Sequence, residues 1–246
     1  MTAEEPRSAA GPSGPAALAI LALLAACPLL LPDFFVVQIG AQSLFLGTVA
    51  LSVVFLSRFA GMFSLAQIAI YGVSGYTVAI LTATHRLPWY AGVIAALAIA
   101  SAVAFVFGLV ACRTQGIYFF MITLAQAMLL YRFVDQDHAL ANGHTGINGV
   151  RAPSFGAISL SSPGAFYGVS LAAAAAMYWL VRRVVRTPFG LTLQGIRDNP
   201  RRMRPLGFNV AAYRVAAFTL AGFVAAVGAS SGSGTSRRSR WRSTSR

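Results

Sequence analysis

The chain has 246 residues, 57% hydrophobic and only 10% charged, with a mean hydropathy of +0.68. Soluble domains carry about 25% charged residues, so this composition excludes a water-soluble globule and belongs in a bilayer. The net charge of +13 comes from 19 basic residues that are all Arg; without Lys there is no P-loop and no lysine Schiff base, and any ATP-driven step needs another chain.

Residues 1–15 are small, polar and rich in Pro and Gly, and are expected to form a disordered tail. The first apolar run is Ala16 to Leu31, kinked or ended near Pro28 and Pro32. Its mildly acidic flank is unlike a secretory signal. Leu24-Ala25-Ala26-Cys27 has the look of a lipoprotein processing box, but apolar sequence follows it at once.

Further runs are Phe34 to Leu56, Met62 to Thr82, Trp89 to Ala111, Gly116 to Tyr131, Ala165 to Val181 and Ala211 to Ala229. About 20 residues at 1.5 Å rise cross a ~30 Å hydrocarbon core. In lipid the backbone must satisfy itself, so each run is helical where it spans, and the alternation of a barrel strand is absent. The expectation is an all-α polytopic bundle of about seven spans within residues 16–229. Met62 to Thr82, rich in Gly, Ser and Tyr, is a candidate for a broken or re-entrant helix.

Arginine sets the orientation. Arg182, Arg183, Arg186, Arg197, Arg201, Arg202, Arg204 and Arg214 stand against one acid, Asp198, which places the 182–210 loop in the cytoplasm. Alternating outward from it puts the N-terminus, Arg58 and Arg113 inside as well. The loops at Asp33, at His85-Arg86 and from Arg132 to Gly164 then fall outside. The tail of residues 230–246 differs in composition: Ser, Gly, Thr and five Arg. By the same alternation it emerges outside, against the positive-inside trend. Ala221, Ala225 and Ala229 form a small-residue face that wants another span, and none follows. The expectation is a tail produced by a frame change or truncation in GC-rich coding DNA, not a nucleic-acid-binding module.

Little in the chain suggests covalent chemistry. Cys27 and Cys112 have neither metal-ligand nor disulfide spacing. Gly72-Val73-Ser74-Gly75 has the look of a rhomboid-type serine motif. Its base would have to come from His85, His138 or His144, all in outside loops. Asp33, Asp135, Asp137 and Asp198 fall at ends or in loops, so no titratable relay crosses the membrane. No catalytic residue, metal site or cofactor is expected. The polar groups within the runs are neutral; Gln67, Tyr71, Ser74, Thr77, Thr123 and Gln126 are candidates for a path taken by a polar solute, or for helix–helix hydrogen bonds.

The inside loop is the most informative segment. Thr187-Pro188-Phe189-Gly190, followed by Leu193, Ile196 and Met203 or Leu206, reads as a short amphipathic helix started by Pro188. Its arginine face suits anionic lipid, and its apolar face suits a groove on a cytoplasmic partner.

Three stretches resemble the permeases of branched-chain amino-acid ABC importers, a family that includes urea and amide importers. The first is Ser64-Leu65-Ala66-Gln67-Ile68-Ala69-Ile70-Tyr71-Gly72-Val73-Ser74-Gly75-Tyr76-Thr77, with Ala66 where the family usually has Gly. The second is Arg113-Thr114-Gln115-Gly116-Ile117-Tyr118-Phe119-Phe120-Met121-Ile122-Thr123-Leu124-Ala125, followed by the outside Thr145-Gly146-Ile147-Asn148-Gly149-Val150. The third and most specific comprises Pro188-Phe189-Gly190, Ile196-Arg197-Asp198-Asn199, Leu206-Gly207-Phe208-Asn209-Val210 and Tyr213-Arg214. The resemblance implies a permease subunit in the plasma (inner) membrane of a bacterium. It implies pairing with a second permease subunit, two cytoplasmic ATPase subunits that bind the ATP, and an extracytoplasmic solute-binding protein. It also implies an ATPase-coupling loop made by Pro188, Phe189, Gly190, Leu193, Ile196, Arg197, Asp198, Asn199, Leu206 and Gly207. The alternative reading is a channel or secondary carrier for a small polar solute.

Overall fold

The computed structural model describes residues 36–83, 88–136, 154–155, 158–159 and 163–232. The expected tail at 1–15, the run Ala16–Leu31, the three His and the loop Thr145–Val150 lie outside the described residues, as does nearly all of the 230–246 tail.

The first described helix, α1 (Gln42–Phe55), is flanked by π-helical turns at Val36–Ala41 and Leu56–Ala60. It ends at Gly61, which adopts φ 65°. The Met62 N–H also reaches the Leu56 carbonyl at 3.1 Å, so the stop is of the left-handed glycine kind. The next helix, α2 (Ala66–Ala83), therefore starts later than the apolar run from Met62 suggests. The Ser64 hydroxyl accepts the Ala66 N–H at 3.2 Å and marks that start. Despite its glycines, α2 is unbroken, and its apolar stretch Ala66–Thr82 is shorter than the spans around it.

Helix α3 (Trp89–Ala111) has the bounds of its apolar run. Helices α4 (Ile117–Gln136) and α5 (Pro163–Val185) each extend beyond theirs. Between these two, Ser154–Phe155 (β1) and Ile158–Ser159 (β2) form a two-residue antiparallel pair. Two short helices follow, α6 (Pro188–Asp198) and α7 (Pro200–Met203), and then the long α8 (Val210–Gly232). Five of the described helices are long and apolar enough to cross a membrane, and α2 is a shorter sixth. The protein is thus an all-α polytopic bundle with five clear spans and one shorter apolar helix among the described residues, where the sequence led us to expect about seven in all. The Met62–Thr82 run is the shorter α2, and the Ala16–Leu31 run lies outside the described residues.

Helix α8 is the centre, packed on α1, α2 and α3. Small side chains allow this. On α3 every fourth residue from Gly92 to Gly108, and Ala111 beyond it, is small and buried. Gly222 of α8 sits so close to Ala104 that no Cβ fits between them, and Phe218 and Val215 cover Gly108. Close backbone approach through small residues is how membrane helices gain dispersion energy where lipid offers no hydrophobic drive. Ala221, Ala225 and Ala229 are buried in the same way. The expectation that their face lacks a span is thereby corrected: helices earlier in the chain close on it. Over α8's span 56% of residues are buried, against 11% for α5. Helices α4 and α5 accordingly present apolar outer faces, including Met121, Met128, Leu129 and Trp179, to lipid or to another membrane subunit.

Candidate functional site: the arginine-rich elbow

The segment between α5 and α8 folds as an elbow. Thr187-Pro188-Phe189-Gly190 set the start of its helix α6. Thr187 is extended, with ψ 164°, and Pro188 opens the helix, where its missing N–H costs nothing. Phe189 stacks on Tyr213 of α8, ring centroids 5.5 Å apart and planes 16° from parallel. Phe208 meets the same Tyr213 edge-on at 6.0 Å. Gly190 lets α6 turn back beneath α5. A Cβ there would stand 2.6 Å from the Cα and carbonyl carbon of Val185 and closer still to its oxygen.

Leu193 and Ile196, one and two turns on, are fully buried, and Leu193 joins the main core cluster. The apolar face of α6 is therefore spent on the protein itself. Arg197 fixes the far end. Its Nη1 donates to the Arg58 carbonyl, its Nε donates to Asp198 at 2.9 Å, and its stem lies over Gly61, where a Cβ would come within 2.6 Å of Cγ. The end of α1 is thus bolted to α6. Asn199 accepts the Arg202 N–H at 3.2 Å and starts α7. Gly207, at φ 85°, makes the turn before α8, and Asn209 accepts the Ala212 N–H at 3.2 Å to start it.

What remains on the outer side of the elbow is Leu191, 64% exposed, and Leu206, 69% exposed. Around them stand exposed Arg186, Arg201, Arg202, Arg204 and Asp198. Arg58 and Arg113 belong to the same end of the bundle: the first through its bond to Arg197, the second by sharing a cleft with Asn209. Of the ten expected loop residues, Gly190, Leu193 and Ile196 anchor the elbow from within, Phe189 is clasped against Tyr213, and Asp198 and Leu206 face out. The sequence reading did not include Leu191, nor the partners Val185, Arg58 and Gly61. Leu191 is two residues before Leu193 and therefore off its face, which helical spacing could have revealed. The other three are tertiary contacts with no local signal.

The polar residues within the bundle divide differently. The Ser74 hydroxyl donates to the Ala226 carbonyl at 2.9 Å and joins α2 to α8; this buried serine has a structural bond. Thr77 and Thr123 donate to carbonyls of their own helices, Val73 at 2.8 Å and Phe120 at 2.9 Å. Tyr71 is half-buried against the cluster of Phe45, Phe166 and Tyr167. Gln126 donates to the Phe107 carbonyl at 3.2 Å, but its Oε1 is buried without a partner among the described residues. Gln67 is fully buried with neither amide atom bonded to any described residue. The Ser74, Thr77 and Thr123 hydroxyls are thus engaged, while the Gln67 and Gln126 carboxamides keep hydrogen-bonding capacity in reserve among the described residues. Just beyond α3, burial pushes the Cys112 thiol up to about 12.

Among the described residues, no three His, Cys, Asp or Glu side chains lie close enough to hold a metal ion. The fold and this elbow define a polytopic membrane protein whose basic end carries a rigidly mounted amphipathic helix. Comparison with known families matches residues 35–233 to the branched-chain amino acid transport system / permease component. The chain belongs to that family and is a membrane permease subunit of the branched-chain amino-acid ABC importer type, a transport component rather than an enzyme. No curated protein and no solved structure matches it.

Proposed function

We propose that the protein moves a branched-chain amino acid or a related small polar solute through the inner membrane of a bacterium, as one of two permease subunits. Two cytoplasmic ATPase subunits bind the ATP, and an extracytoplasmic binding protein delivers the solute. The 182–210 elbow is the cytoplasmic contact for an ATPase, and the N-terminus lies on the same side. The gathering of Arg58, Arg113 and the elbow arginines at one end of the bundle supports this orientation.

One observation carries the coupling role. The elbow buries Leu193 and Ile196 in its own bundle while Leu191 and Leu206 stay exposed among arginines. A helix fixed on one face and open on the other transmits displacement. Force applied at Leu191 or Leu206 reaches α8 through the Phe189–Tyr213 stack, α5 through the Gly190 turn and α1 through Arg197. The solute path is proposed to use Gln67 and Gln126, the polar groups with bonding capacity left over, with Tyr71, Ser74, Thr77 and Thr123 alongside.

The test is uptake into proteoliposomes holding the permease with its partner subunits. Leucine-class solutes, urea and short amides are offered with the binding protein. Uptake that needs both internal ATP and the binding protein is expected. Uptake by the permease alone, without ATP, would establish the channel or secondary carrier instead.

A further inference from the structure

The elbow carries more positive charge than its own fold uses. Asp198 is the single acid between residues 182 and 210, and Arg197 already holds it, with Nη2 at 2.8 Å. Arg183 is engaged as well, its guanidinium 5.2 Å from the centre of the Trp179 ring. Arg186, Arg201, Arg202 and Arg204 remain. All four are exposed, and their guanidinium groups enter no ion pair or ring contact among the described residues. Like charges gathered without acids repel one another and oppose folding. Orientation in the membrane calls for positive charge on this side, but not for its placement around the exposed Leu191 and Leu206.

The direction of this face separates two kinds of partner. Helix α6 packs on the π-helical turn at the end of α1, on α5 and on α8, with Leu193 and Ile196 turned into the bundle. A basic helix lying on a lipid surface turns its apolar face into the lipid; α6 has spent that face on the protein. Its opposite side, with Leu191, points away from the bundle and so away from the bilayer that the bundle spans. An apolar patch with a cationic rim, facing outward, is complementary to a protein groove that is apolar at its floor and acidic at its edge.

We infer that the groove receiving the elbow on the ATPase subunit is ringed by carboxylates, which draw in Arg186, Arg201, Arg202 and Arg204, while Leu191 and Leu206 fill its apolar floor. The inference rests on the reading of the elbow as the ATPase contact and adds a division of labour to it. The arginines act before contact, across a Debye length of ~10 Å at 0.1 M salt, and set how fast the subunits find each other. Once the surfaces meet, exposed ion pairs at a rim add little. The desolvated leucines then set how long the complex lasts, since interface lifetime follows the apolar anchors at its centre.

The permease, with its second permease subunit, is held in nanodiscs of phosphatidylcholine, and the cognate ATPase subunits are added in solution. Association and dissociation are followed by interferometry. Raising salt from ~0.1 M to ~1 M shrinks the Debye length from ~10 Å to ~3 Å and should slow association at least about tenfold, with dissociation changed by less than about twofold. The combined variant Arg201→Gln, Arg202→Gln, Arg204→Gln should associate about tenfold more slowly at ~0.1 M salt and lose most of the salt response. Lys at the same three positions should restore both, because charge acts at a distance and the planar fork does not. Leu191→Ala with Leu206→Ala should speed dissociation and leave the salt response intact. All these positions are exposed, and an unchanged Tm confirms the fold. Association equally fast at both salt concentrations, or a wild-type rate for the glutamine variant, would overturn the acidic rim, while faster dissociation of the leucine variant would leave the docking reading standing. A glutamine variant that is slow only in nanodiscs containing phosphatidylglycerol would assign the arginines to lipid and overturn the inference too. Association altered by neither set of changes would overturn both the rim and the elbow as the contact.

Discussion

Replacing Gly190 by alanine tests the mounting of the elbow with a single methyl group. The new Cβ would lie 2.6 Å from the Cα and carbonyl carbon of Val185, whereas non-bonded carbons rest ~3.5–4.0 Å apart. The turn between α5 and α6 must therefore open by about 1 Å. The obstacle is backbone, so no rotamer change relieves it. Overpacking of this kind costs ~1–3 kcal/mol, which is about a 5–150-fold shift in an equilibrium. The shift lifts Leu193 and Ile196 from their seats, because α6 moves as one short rod. Gly195→Ala is the matched control in the same helix. Its Cβ meets the flexible thioether of Met203, 3.1 Å away at Sδ, while alanine gains up to ~1 kcal/mol of helix propensity. With partner subunits co-expressed, ATP-driven uptake by Gly190→Ala is expected to fall at least fivefold, with the permease still recovered in the membrane and ATP hydrolysis persisting. Gly195→Ala should transport within about twofold of wild type. Normal uptake by Gly190→Ala would refute the claim that the position of α6 matters.

Three further outcomes can be checked on the purified chain. Gly222→Ala should lower Tm in detergent, because its Cβ collides with that of Ala104, whereas Gly72→Ala enters open space and should hold or raise Tm through helix propensity. Phe189→Ala should destabilise by ~3–5 kcal/mol if the ring is packed as firmly as a core aromatic. Most of that loss should return with Phe189→Tyr, and a double-mutant cycle with Tyr213→Ala should show coupling of ~0.5–1.5 kcal/mol. Cys112, with its thiol raised to about 12, should resist maleimide at pH 8, where roughly one thiol in ten thousand is ionised. Reactivity should grow as the pH rises toward 12 or when the protein is unfolded, and rapid native labelling at pH 8 would contradict the burial of that residue.

The spans were legible wherever hydropathy alone decides them. Trp89–Ala111 has the same bounds as run and as helix, because Pro88 and the polar Arg113-Thr114-Gln115 bracket an unbroken apolar stretch. Pro188 correctly marked the start of α6. The start of α2 was not legible, because Gly61 is one of 23 glycines and only its left-handed conformation makes it a stop. Two helix faces share a limit. The apolar face of α6 and the alanine face of α8 were both visible as patterns, but a pattern does not say what covers it. In each case the answer is a helix far away in the sequence: the body of the bundle for Leu193 and Ile196, and α1, α2 and α3 for α8. The six polar residues in the spans illustrate the same limit. Ser74, Thr77 and Thr123 looked equivalent to Gln67 until the carbonyls that accept their hydroxyls were placed.

Photo-crosslinking from the elbow tests the central claim most directly. A photoreactive amino acid is placed in turn at Leu191, Leu206 and Leu193 of the permease, assembled with its partner subunits in native membranes. The account predicts adducts to an ATPase subunit from Leu191 and Leu206, and none from the buried Leu193. Crosslinks from neither exposed position, or adducts from them to the extracytoplasmic binding protein, would contradict both the orientation and the coupling role of the elbow.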